Sequence, residues 1–109
     1  MSPELEQRLY NAFSHLFREH LNPEMPLGNW GIECGDECFD LIWTLSQQIA
    51  AYIEANPDFA DSRVVQVKEK LGSLRYRIFP SNEAISDMVL QVSLRSEAVI
   101  RAASLNDKE

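Results

Sequence analysis

The chain has 109 residues, 45% hydrophobic and 25% charged, with a net charge of −7 at pH 7. That composition excludes a disordered chain and predicts one domain, residues 1–109, able to bury a core without disulfide or metal. The acidic balance sets nucleic acid at a disadvantage as a ligand. No apolar run approaches the roughly 18 residues of a membrane span, and the acidic, amphipathic start does not read as a secretory signal, so a cytoplasmic location is expected.

The first helix is predicted over residues 2–21. Ser2 caps it, Pro3 occupies its first turn, and Leu5, Leu9, Ala12, Phe13, Leu16 and Phe17 recur at helical spacing. Asn22-Pro23 stops it. Residues 22–35 then read as a loop punctuated by Pro23, Pro26, Gly28, Gly31 and Gly35, pinned by Trp30, with only a weak strand signal around Ile32. A second helix is predicted over residues 36–55, with Phe39, Ile42, Trp43, Ile49, Tyr52 and Ile53 on its apolar face. Trp43 is expected at the centre of the core.

The strongest β signal follows. Residues 63–70 and 73–79 are rich in β-formers and flank Leu71-Gly72, so they read as a hairpin. Alternation places Val65 and Val67 on one face of its first strand, and Leu74, Tyr76 and Ile78 on the core face of its second. Gln66, Lys68, Lys70, Arg75 and Arg77 fall on the opposite face. A third helix opens after Pro80 with Ser81 or Asn82 as cap, and shows Ile85, Met88, Val89, Val92, Val99 and Ala103 on one face. Ser93 and Ser96 weaken its middle, and residues 106–109 are expected to fray. The expected fold is therefore α+β in the order α-α-β-β-α, an antiparallel hairpin packed against helices.

Charge is unevenly placed. Residues 63–77 hold five cations against Glu69 alone, a local charge of +4, which leaves −11 on the rest of the chain. The basic residues Lys68, Lys70, Arg75 and Arg77 suit phosphates or an acidic partner, though cations on an exposed strand also discourage edge pairing. The acidic residues Glu33, Asp36, Glu37 and Asp40 gather where the second helix begins. The helix macrodipole favours acids there, and the same cluster could dock a basic surface. Its spacing does not fit a calcium loop. Cys34 and Cys38 stand four apart, and neither histidine has a cysteine at zinc-finger spacing. No metal, cofactor or catalytic residue is therefore assigned. No phosphate-binding loop, dinucleotide glycine pattern or nucleophile elbow occurs in the chain.

Two stretches, Gly31-Ile32-Glu33-Cys34-Gly35-Asp36 with Asp40-Leu41-Ile42, and residues 64–76, resemble a family of small proteins found mainly in phages and prophages. Gly31-Ile32-Glu33-Cys34-Gly35-Asp36 with Asp40-Leu41-Ile42 resembles that family's "GIECGDGW…DLI" opening. Val64-Val65-Gln66-Val67-Lys68-Glu69-Lys70-Leu71-Gly72-Ser73-Leu74-Arg75-Tyr76 resembles its "VVQVKEKFGGLRFY" hairpin. Here Glu37-Cys38 replaces Gly-Trp, Ser73 replaces a glycine, and a C-terminal cysteine pair seen in many members has no counterpart. The resemblance implies a bacterial host cell and a non-catalytic protein that binds and inhibits a host protein or nucleoprotein, such as a CRISPR complex. The acidic residues would form its contact surface. The alternative is a small nucleic-acid-binding or nucleic-acid-processing protein using the basic hairpin. A regulatory homodimer is a third reading, and no membrane partner is expected.

Overall fold

The computed structural model describes residues 1–106, in which four α-helices and a three-stranded mixed sheet build an α+β fold. Of residues 106–109, expected to fray, Asn106 is helical and 107–109 lie outside the described residues.

Helix α1 covers Pro3–Ala12, and Ser2 Oγ accepts the Leu5 N–H at 3.4 Å as its cap. It ends nine residues before the predicted Leu21. Phe13, at φ −126° and ψ 52°, turns the chain, and only a 3-10 turn at Arg18–Leu21 follows. The reason is tertiary. The turn brings the Leu16 carbonyl onto the Val64 N–H at 2.9 Å and drops Leu16 and Phe17 into the core. Helical spacing in sequence does not outweigh that long-range pairing.

Part of the expected loop is structured. A short helix α2, Pro26–Trp30, leads into strand β1, Ile32–Glu33. Gly31 joins them at φ 67°, a conformation that favours glycine. The Glu6 carboxylate occupies the space that a Cβ at Gly31 would need. Its Oε1 accepts both the Ile32 N–H at 2.6 Å and the Tyr10 O–H at 2.7 Å, clasping α1 to β1. Trp30 does not pin this segment as expected, since it is exposed.

Helix α3, Phe39–Ala55, follows a 3-10 turn at Asp36–Cys38. Ile42, Leu45, Ser46 and Ile49 are buried. Trp43 is not central: it is half-buried at the rim, edge-on to Phe13 at 5.0 Å and tilted against Phe39 at 5.8 Å. Phe17 holds the centre instead, with the Tyr10, Phe13 and Tyr76 rings around it at 5.8, 6.5 and 6.3 Å.

The hairpin forms as β2, Arg63–Lys70, and β3, Ser73–Phe79, around Leu71 and Gly72. Both turn residues have positive φ, 54° and 83°, as a two-residue hairpin of matching twist requires. β2 is the middle strand, parallel to β1 and antiparallel to β3. Leu74 and Tyr76 are buried and Ile78 half-buried, while Arg75 and Arg77 point out, so the β3 register is as predicted. The β2 assignment needs correcting. A bulge between Val64 and Gln66 interrupts the pairing, so Val64 and Val67 are fully buried and Val65 is not. One extra residue shifts every side chain before it to the other face.

Helix α4, Glu83–Asn106, starts where Asn82 Oδ1 accepts the Ile85 N–H at 2.9 Å. Ile85, Val92 and Ile100 are buried, joined by Ser96 at 0% exposure. Far from merely weakening the helix, Ser96 Oγ accepts the Leu74 N–H at 2.8 Å and donates to the Ser93 carbonyl at 2.6 Å. It fastens α4 to the free edge of β3, while Ser46 Oγ and Tyr76 Oη, 2.9 Å apart, tie α3 to the same strand. Ser96→Ala leaves a buried backbone N–H without a partner. The expected loss is about 1–3 kcal/mol of unfolding free energy in a urea titration. Among the described residues, no helix is long and apolar enough to cross a membrane.

Candidate binding surface

The outer face of the sheet is built by alternation that the bulge in β2 interrupts once. With Val64, Val67, Leu74 and Tyr76 turned to the core, the opposite side chains of β2 and β3 must face outward. The register then sets them in rows across the strands. Glu33 on β1 stands beside Lys68, and Lys68 stands opposite Arg75. Gln66 lies opposite Arg77, whose Nη1 donates to Gln66 Oε1 at 3.4 Å. Lys70, Arg75 and Arg77 are exposed, and Lys68 is half-buried. Between these side chains lies a shallow hollow of about 360 Å³, walled by Gln66, Lys68, Lys70, Leu71, Arg75 and Arg77. Every wall residue belongs to the hairpin, so among the described residues no helix reaches over it.

At the far end of this face Arg63 pairs with Phe79. The Arg63 guanidinium lies over the Phe79 ring, 5.8 Å from its centre, and its Nε sits 3.5 Å from Glu19 Oε1. Phe79 is 63% exposed. The structure brings the expected Lys68, Lys70, Arg75 and Arg77 to this surface and adds Arg63 and Phe79, which the sequence did not mark as members of it. Alternation from Arg75 and Arg77 reaches Phe79, whereas Arg63 comes to this face through the bulge between Val64 and Gln66.

The acidic cluster borders this face. Glu33, Asp36, Glu37 and Asp40 are all exposed. Asp36 Oδ1 accepts the Ser2 N–H at 2.7 Å, so one of the four serves the fold by holding the N-terminus. Glu33 is the point of contact between the two charged regions, through its register with Lys68. Behind the cluster Cys34 and Cys38 are buried free thiols. A hydrogen bond between them, with burial, raises the Cys34 thiol far above its ordinary range. Among the described residues, no three His, Cys, Asp or Glu side chains gather as a metal site.

The basic face has an electrostatic cost. Lys68 and Arg75 are like charges directly across neighbouring strands, an arrangement that weakens a sheet. Among the described residues, Arg63–Glu19 is the one side-chain ion pair, so the other outward cations, Lys68 beside Glu33 included, make none. No protein-family model, curated protein or solved structure matches the chain at a significant level.

Proposed function

We propose that this is a non-catalytic binding protein whose outer sheet face docks on a polyanionic macromolecule, nucleic acid or nucleoprotein, of a bacterial host. The observation behind this reading is the Lys68–Arg75 juxtaposition at the heart of an uncovered face. A fold selected for stability alone gains nothing from pairing these charges, whereas a phosphate backbone neutralises them. The phage setting comes from the two sequence motifs, and a defence complex such as a CRISPR nucleoprotein fits a target that displays phosphates.

Gel-shift titration of the isolated protein tests this. Retention of RNA or DNA at low salt should fall steeply as salt rises. Engagement of phosphates by Lys68, Lys70, Arg75 and Arg77 would give a log–log slope of roughly −3 on single strands. Neutralising these four residues together should abolish retention. A protein that retains no oligonucleotide at low salt would overturn the reading.

A second reading is favoured by the four exposed carboxylates and the −11 charge outside the hairpin. There the acidic border docks on a basic surface of the host nucleoprotein and inhibits it. Charge reversal at Glu33, Asp36 and Glu37 should then slow association, most visibly at low ionic strength. Reversal at Lys68, Lys70 and Arg75 should matter less.

A further inference from the structure

We infer that the outer sheet face takes single-stranded nucleic acid, with backbone phosphates on the hairpin cations and a base stacked on Phe79. This rests on the polyanion-binding reading above and names its ligand.

Three features point to a single strand. First, the face is open and shallow, and the other side of the sheet is occupied by the core. Duplex readers commonly insert a helix or a free ribbon into a groove. Here β2 is flanked by β1 on one side and β3 on the other, so the hairpin is not a free ribbon.

Second, the aromatic is in the right place. Arg75, Arg77 and Phe79 are alternate residues of one strand, so they project in a line at intervals of about 6.8 Å. A chain of phosphates lying on the two arginines brings its next base to the phenyl ring. The ring is held for that purpose. Arg63 lies against it, donates from Nη1 to the Phe79 carbonyl at 3.4 Å and is itself held by Glu19. An aromatic 63% exposed beside cations is the combination that binds single strands without sequence preference.

Third, charge confines the path. Glu33 stands beside Lys68 and repels phosphates from the β1 side. The strand is thereby directed along β2 and β3 toward Phe79.

The test uses the full chain and fluorescence anisotropy with three probes: labelled oligo-dT or oligo-rU, a duplex of equal length, and heparin as a polyanion without bases. The single strand should bind more tightly than the duplex. Phe79→Ala and Phe79→Leu should each weaken single-strand binding roughly 5- to 150-fold. Neither should alter heparin binding, and Phe79→Tyr should restore the single-strand affinity. Because Phe79 is exposed, unchanged tryptophan emission and thermal midpoint identify the variants as folded. Tighter duplex binding, or single-strand affinity indifferent to Phe79, would overturn the inference while heparin binding leaves the broader reading in place. Loss of both oligonucleotide probes from the native protein, whatever heparin does, would remove both.

Discussion

Phe17→Ala should destabilise the protein by about 3–5 kcal/mol, the loss typical of deleting a fully buried aromatic ring. At this chain length that corresponds to a thermal midpoint lowered by roughly 12–25 °C. The size of the effect follows from where Phe17 sits. It is 0% exposed, and its ring meets Tyr10 of α1, Phe13 of the turn and Tyr76 of β3. Truncation therefore opens a cavity between three segments that cannot all close around it. Trp43→Ala makes the useful comparison. Trp43 is the larger side chain, yet it is half-buried and touches the rim through Phe13 and Phe39. Calorimetry of both variants should show the larger loss for Phe17. A larger loss for Trp43 would return it to the central position that sequence spacing assigns.

That contrast shows what the sequence could and could not say about the fold. Local signals were readable because local physics produces them. The caps at Ser2 and Asn82, the Leu71-Gly72 turn and the outward direction of Arg75 and Arg77 all depend on residues within a few positions. The misreadings share a different cause. Helix α1 stops at Ala12 because Leu16 bonds to Val64, a partner 48 residues away. Strand β1 is two residues long and exists because β2 offers it an edge. The bulge at Val65 leaves no local mark in a run of β-formers, and it exchanges Val65 for Val64 in the core.

The binding surface was readable in part for the same reason. Composition separates the basic hairpin from the acidic remainder, and alternation gathers Lys68, Lys70, Arg75 and Arg77 on one face. Composition does not reveal that Lys68 faces Arg75, because that depends on the hairpin register. Nor does it reveal that Glu33 borders the cations, which depends on the parallel pairing of β1. The acidic and basic groups read as separate in sequence are neighbours across one strand boundary. Ser96 is a similar case. A serine within a helix reads as a weakness until the edge of β3, 22 residues earlier, supplies the N–H that it accepts.

Alkaline conditions should unfold this protein in a way that depends on Tyr76. The phenol is buried beneath α3, and burial raises it well above its ordinary value of 10.0, against a smaller lowering by the hydrogen bond with Ser46. The folded state thus keeps a proton that the unfolded chain gives up. A group raised on folding contributes its full stability below its unfolded value. It loses that contribution as pH climbs from there through the folded value. With an unfolded value near 10, the loss from Tyr76 should set in above pH 10 and grow by on the order of 1 kcal/mol for each further pH unit. Tyr10 acts in the same direction, raised by burial and then by its hydrogen bond to Glu6 and that residue's charge. Tyr76→Phe isolates the first contribution. Near neutral pH the variant should be less stable, because Ser46 loses its hydroxyl partner, a change of about 1 kcal/mol. Above pH 10 the native protein should lose stability faster than the variant, so the two urea midpoints converge and then cross. Profiles that stay parallel up to pH 12 would show that the Tyr76 phenol ionises in the folded state as readily as in the unfolded one.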